Sequence, residues 1–442
     1  MIDERADDQF RLISTSALSM LVAASMIGAG VFTTSGFALA DLGSTSLVMC
    51  AWIVGATLAI SGAISYGMLA DHITESGGEY LFLSRFVHPA AGFVAGWVSL
   101  LAGFTGAGAY AATAFESYAL PAAARPTWLP EGSLAIVLVI GATAMHALNT
   151  RRGAISQSSL VAIKLSLLAL FITYSLIVMP TWSGGGTLPI EKRSPWSSVG
   201  SFATSVMWIS LSYSGFNAAI YVAGEAKDGA RGVKQAMWKG TILVTVFYLL
   251  LNTIFLYAPD VSSIAGQQDI AAIAASKVGG AQLAWLVRII VCTGLATSVS
   301  SILMAGPRVY AKMAKDGLFP RYFDAPKPPP TRSVLLQGAA IIVVVLMTGL
   351  RDLLSYLGLT LGISAACTVA TLFFARQTGD KASQPSKSRY VIAGYYTTGT
   401  LVLAALAAWN RPAEALATLA TILAGVIGFA LLRRHGSGKR NA

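Results

Sequence analysis

Apolar stretches of about twenty residues recur along almost the whole chain, each long enough to cross a bilayer's hydrocarbon core as a helix. No water satisfies backbone groups at that depth, so such stretches are held to a regular hydrogen-bonded form. Composition agrees. Only 12% of the 442 residues are charged, where about a quarter is usual in soluble domains, and the mean hydropathy is +0.65.

Twelve spans are expected, at about 14–40, 46–70, 89–118, 132–149, 155–179, 198–223, 236–258, 281–306, 333–350, 353–375, 390–409 and 412–432. Only Gly349, Arg351 and Asp352 separate the ninth from the tenth. With the N-terminus inside, about three-quarters of the 31 Lys and Arg residues fall in inner segments. The outer segments hold Arg125, Lys192, Arg193, Lys277, Arg351 and Arg411. Both termini are therefore expected in the cytoplasm. The net charge of +11 does not indicate nucleic-acid binding, because the basic residues are dispersed between apolar runs. Cys50, Cys292 and Cys367 all lie in apolar stretches and are expected to be small core residues, not disulfides or metal ligands. The head MIDERADDQF is acidic as well as basic, and the run after it is too long for a signal h-region. No segment has the composition of a soluble domain. "APKPPPTRS" at 325–333 is expected to be a stiff inner loop and "RQTGDKASQPSKSR" at 376–389 a flexible one.

Within this pattern "SMIGAGVF" at 25–32 is odd, because Gly28 and Gly30 fall near the middle of a span. Most glycines in spans let helices approach closely, and "AGFVAGW" (91–97) and "GFTGAGAY" (103–110) suit that role. The sixth span repeats the oddity: "SYSGFNAAI" at 212–220 places Gly215 mid-membrane beside Ser214 and Asn217. Two weakened spans five apart are expected if spans 1–5 and 6–10 form inverted repeats. Paired interruptions then mark a binding site, since unwound backbone is tolerated where it lines a cavity. Amides freed after the first break suit a carboxylate and carbonyls freed at the second suit an ammonium.

Four strings in order, "MIGAGVF" (26–32), "ESGGEYLFLSRFVHPAAGFVAGW" (75–97), "SGFNAAIYVAGEAKD" (214–228) and "GPRVYAKMAKDGLFP" (306–320), resemble the amino acid–polyamine–organocation transporter superfamily over essentially the whole chain. The resemblance implies an all-α integral membrane protein of the leucine-transporter fold. That fold has 12 transmembrane helices: a first repeat over 14–179, a second over 198–375, with spans 1 and 6 broken, and two added helices over 390–432. It implies alternating access and amino acid or amine transport. The matching substrate-binding positions are Ser25, Met26, Ile27, Gly28, Ala29 and Gly30, and Leu211, Ser212, Tyr213, Ser214, Gly215, Phe216 and Asn217. First-span amides would take the carboxylate, and carbonyls of Leu211 to Ser214 the amino group. Ala29 stands where many relatives have serine, and Leu211 where a gating aromatic is frequent. Asn217 is neutral and no acidic residue is expected near either break, which favours a neutral amino acid over a dication.

Lys164 lies deep in the fifth span, about 18 Å along the helix from Arg152. A charge there costs roughly 3 kcal/mol or more, and such residues usually face the bundle interior. In sodium-independent members of this superfamily a matching lysine occupies the place of sodium. The resemblance implies that Lys164 bonds carbonyls around Ala24 and Ser25, near Thr297 or Ser298, as a coupling group. It would act either by giving up a proton or as a fixed charge in an exchanger.

Arg288 is expected to snorkel to the outer surface, and Glu116 to sit at a wetted interface. Glu225, Asp228, Arg308 and Asp316 are expected to form a cytoplasmic gate of ion pairs. The four histidines are scattered, and no HExxH, GxSxG or phosphate loop is present, so neither an enzyme nor a primary pump is expected. No filter-like repeat suggests a channel. The expected partners are an amino acid, membrane lipid and, for symport, a proton, with no cofactor; the oligomeric state is left open.

Overall fold

The computed structural model describes residues 13–73, 78–148, 153–182, 184–189, 194–315, 317, 319–324, 330–375 and 387–437. Its helices are α1 (Thr15–Met26), α2 (Gly30–Leu42), α3 (Thr45–Leu69), α4 (Glu79–Phe86), α5 (Pro89–Ala119), α6 (Ser133–Leu148) and α7 (Gly153–Ile177). They continue as α8 (Pro195–Ser212), α9 (Gly229–Tyr257), α10 (Ile270–Lys315), α11 (Thr331–Met347), α12 (Leu350–Ala375), α13 (Lys387–Asn410) and α14 (Pro412–Ser437). Counting α1 and α2 together, eight helices among the described residues are long and apolar enough to cross a membrane, and α6, α11 and 162–177 of α7 are shorter apolar helices. The chain is a multi-pass membrane protein.

Local chemistry sets the boundaries. Ser14, Ser44 and Ser194 cap the amides opening α1, α3 and α8. Gly43 ends α2 in the left-handed conformation that glycine takes without strain. Thr348 and Gly349 alone separate α11 from α12, where the sequence placed a boundary. The expected eighth span is longer than anticipated: α10 begins at Ile270 and is re-aimed at Gly279 and Gly280.

Burial orders the bundle. Of the α1–α2 window 61% is inside, against 11% for α14, so the interrupted first segment sits at the centre and the last helix at the rim. Against α1 and α3 packs α9, while α8 contacts α2, α3, α12 and α13. Outward faces carry apolar side chains such as Ile53, Leu170, Leu346 and Leu416, as lipid contact demands.

Three expectations are corrected here. Cys50 and Cys367 are exposed and Cys292 is half-buried, all as free thiols, so they are not core residues. Arg288 does not snorkel: it pairs with Asp269 at 2.5 Å and donates to the Tyr118 carbonyl at 2.9 Å, because the turn before α10 brings a carboxylate to it. Glu116 is 2% exposed rather than wetted. Its carboxylate accepts from the amides of Gly132 (2.8 Å) and Ala135 (3.0 Å) at the start of α6, and pairs with Arg125 at 2.6 Å.

Glu116 thus supplies the anion that the start of α6 favours. Glu116→Ala strands a guanidinium and two amides and should cost about 3 kcal/mol. Thermal unfolding in detergent checks it; an unchanged melting temperature would contradict this role.

Candidate functional site at two helix breaks

The first break spans three residues. The Ile27 amide closes α1 onto the Ala23 carbonyl, the Gly28 amide bonds the Met26 carbonyl at 2.8 Å, and α2 starts at Gly30. The opening turn of α2 therefore points amides without helical partners into the centre of the bundle. At the second break α8 stops at Ser212. The Ser214 amide bonds the Leu211 carbonyl at 2.9 Å, and Gly215 turns the chain at φ +102°. The chain then continues as a tighter 3-10 helix, Ala218–Glu225.

The two breaks touch. A Cβ on Gly30 would stand 2.4 Å from the Ser212 hydroxyl oxygen, and one on Gly215 would stand 2.8 Å from the Ser25 carbonyl carbon and oxygen. At these two positions any other residue would force the segments apart, and at Gly215 its backbone would also be strained. The bundle supplies hydrogen bonds around them. The Tyr248 hydroxyl of α9 lies 2.6 Å from the Met26 carbonyl oxygen and 3.0 Å from that of Ser212, bridging both breaks. Thr33 lies 2.6 Å from the Tyr110 hydroxyl and donates to the Ala29 carbonyl at 3.1 Å. Thr34 lies 3.1 Å from Ser212. Ser35 bonds Asn252 and accepts from the Trp52 indole at 2.8 Å.

The Lys164 ammonium donates to the carbonyl of Ile27 rather than to Ala24 or Ser25. The reason is local: at Ile27 the backbone leaves the helical conformation (ψ 83°), while the Ser25 carbonyl lies against Gly215. Gly294 of α10 leaves room for the lysine, since a Cβ there would lie 3.4 Å from its Cδ, Cε and Nζ. Thr297 and Ser298 donate to the Gly294 carbonyl at 2.7 and 3.0 Å, so they share the lysine's neighbour without bonding it.

On the sixth segment, Ser212 and Leu211 have carbonyls already engaged, by Tyr248 and by the Ser214 amide. Those of Tyr213 and Ser214 follow them at the break. Phe216 is buried against Tyr66 and Tyr396. Asn217 carries a correction: an acidic residue does lie next to it. The Asn217 amide donates to Glu79 at 3.4 Å.

Both ends of the bundle are tied. At one end, Asp41 at the end of α2 pairs with Arg351 and, at 3.3 Å, with Arg411. Both guanidiniums lie over the Trp208 ring of α8, at 5.5 and 5.6 Å from its centroid. The Gly266 amide bonds the Gly36 carbonyl at 2.7 Å, laying the loop after α9 onto α2. At the other end, the gate pairs expected from sequence are not formed among the described residues; Asp316 lies outside them. Asp228 accepts from Thr15 at 2.6 Å and Arg308 bonds the Met304 carbonyl of its own helix at 2.6 Å. The Glu225 carbonyl accepts from the Ile13 amide at 3.0 Å. The ion pair described on this face is Lys234 with Asp71, at 2.6 Å.

Sequence reasoning missed Tyr248 and Asn252, although a signal existed: two polar residues four apart in "FYLLLNT" share one face of an otherwise apolar helix.

A family model described as amino acid permease matches residues 13–432. Among curated proteins the chain is similar to the large neutral amino acids transporter small subunit 2 of Homo sapiens. The two are 23% identical over 417 residues, 92% of this chain and 77% of that protein. It is also similar to the b(0,+)-type amino acid transporter 1 of Mus musculus, 22% identical over 420 residues, 93% of this chain and 85% of that protein.

Tyr248→Phe removes the hydroxyl that bridges the Met26 and Ser212 carbonyls, of which Met26 keeps the Gly28 amide, and should cost about 1–3 kcal/mol. Gly215→Ala adds a clash and backbone strain, so it should lower the melting temperature further. Equal melting temperatures for wild type and Gly215→Ala would contradict the packing of one break on the other.

Proposed function

We propose, because the chain belongs to the amino acid permease family, that it is a secondary transporter of neutral amino acids working by alternating access without sodium. The reading extends to twelve spans in two inverted repeats, 14–179 and 198–375, followed by 390–432, in the cell membrane with both termini cytoplasmic. The observation that carries it is the contact of two helix breaks, with freed amides from one and freed carbonyls from the other. A zwitterion needs an anion site and a cation site about one residue apart, which such a junction offers.

The junction is closed where Gly30 meets Ser212. Substrate entry therefore requires the breaks to separate, and the sites of relative motion are the two unwound segments. The carboxylate is assigned to the amides of Ala29 and Gly30, joined by those of Ile27 and Gly28 once the Ala23 and Met26 carbonyls let go, and the amino group to the carbonyls of Tyr213 and Ser214. Those of Leu211 and Ser212 become available when Ser214 and Tyr248 let go. Ala29 offers no hydroxyl, so the amides alone hold the carboxylate. Phe216, with Tyr66 and Tyr396 behind it, supplies apolar surface for a neutral side chain. A relative named for large neutral amino acids supports the same choice.

Lys164 holds the carbonyl of Ile27 inside the break, where a cation contributes most to fixing unwound backbone. We assign it the coupling role, with a proton as the coupling ion. Exchange of one amino acid for another, with Lys164 as a fixed charge, is the competing reading.

Uptake of radiolabelled neutral amino acids into sodium-free proteoliposomes tests this, with wild type and Lys164→Ala compared. An inward proton gradient should accelerate wild-type uptake, and the variant should lose about tenfold or more of the rate, the usual scale for one lost charged contact. Uptake that ignores the gradient yet requires internal amino acid would establish exchange instead. No saturable uptake of any amino acid would overturn the transport reading.

A further inference from the structure

Glu79 is a carboxylate that no part of the proposed cycle uses, and it is 8% exposed. It opens α4, the short helix between α3 and α5. Its Oε1 accepts from the Tyr66 hydroxyl of α3 at 2.7 Å and from the Asn217 amide at 3.4 Å; its Oε2 accepts from the Ser364 hydroxyl of α12 at 2.7 Å. One side chain therefore joins four elements: α3, α4, α12 and the segment just past the second break. Gly78 makes this possible. Its φ of +63° suits glycine, and a Cβ there would stand 2.2 Å from the Tyr221 ring.

Among the described residues no Lys, Arg or His pairs with Glu79. The groups facing it are Tyr66 from α3, Asn217 and Tyr221 from the sixth segment, Ser364 and Cys367 from α12 and Tyr396 from α13. All are neutral at ordinary pH. Burial raises the carboxyl above its usual range, and the hydrogen bonds from Ser364 and Tyr66 pull the other way. Two of the three donors are hydroxyls, which can turn to accept. The site can therefore hold the carboxylate or the carboxylic acid without stranding a buried group. The states differ in what they hold. The carboxylate accepts from all three donors. The acid spends one oxygen on donating its own proton, and the longest contact, to Asn217, is the weakest to survive.

We propose that Glu79 is a proton-binding latch on the cytoplasmic half of the sixth segment: charged, it grips Asn217, and protonated, it releases that segment. This rests on the transport reading for its consequence. Release frees the segment next to the second break to move, and loss of the proton to the cytoplasm restores the grip. Glu79 is a positioning residue, acting on the break through Asn217.

Two measurements test it. The first needs no substrate: melting temperatures of wild type and Glu79→Gln in detergent between pH 5 and pH 8. A carboxyl raised in the folded state contributes most stability below its unfolded value and loses it as pH rises through the folded value. Wild type minus variant should therefore fall as pH rises. A difference that is flat across this range overturns the latch. The second is uptake with and without an inward gradient of one pH unit, a tenfold step in proton activity. Glu79→Gln should lose the response to the gradient while still exchanging labelled for unlabelled amino acid at equal pH, and Glu79→Asp should regain it. A gradient response in Glu79→Gln equal to wild type overturns the proposal, as does a wild type that transports but ignores the gradient. If the wild type transports no amino acid, the transport reading fails, and the melting profile alone then decides whether Glu79 binds a proton reversibly.

Discussion

Two unwound pieces of backbone meet at the centre of a membrane bundle, and the rest of the structure answers for their polar groups. Gly30 against Ser212 and Gly215 against Ser25 leave no room for a side chain between them. Away from water each unpaired amide or carbonyl is costly. The compensation comes from side chains on neighbouring helices: Tyr248 at both breaks, Thr33 with Tyr110, Lys164 at Ile27. These contacts fix the closed arrangement and leave the carbonyls of Tyr213 and Ser214 at the second break.

The ends of the bundle repeat this economy with charges. At one end, one carboxylate, Asp41, receives two arginines that also cover Trp208, tying α2, α8, α12 and the start of α14 together. Glu79, by contrast, gathers hydroxyl and amide donors with no cation among the described residues. One carboxylate is held by cations and the other by neutral donors, so the two differ in chemistry as well as in position.

The apolar, all-helical character and both helix breaks were legible in the sequence because each follows from a local rule: apolar length for a membrane helix, glycine within an apolar run for a break. Lys164 was legible for the same reason, as a charge where hydrocarbon should be. Its partner was not, since which carbonyl turns outward depends on the dihedral angles at Ile27. Glu116, Arg288 and Glu79 were misplaced or missed because their burial is made by other segments. Glu116 becomes a cap only when α6 starts beside it, Arg288 meets Asp269 through a turn, and Glu79 reaches Asn217 across 138 positions of chain. Of the gate residues, Asp228 accepts from Thr15 at the start of α1 and the Glu225 carbonyl from the Ile13 amide, contacts made by a segment more than 200 positions away.

The central claim is that the two breaks together form the substrate site. Amide hydrogen exchange of the detergent-purified protein, with and without a saturating transported amino acid, tests it most directly at Ile27 to Val31 and Tyr213 to Asn217. The account predicts slower exchange at both segments when substrate is bound, with the outward faces of α13 and α14 unchanged. Protection of neither segment, or of one alone, would contradict it.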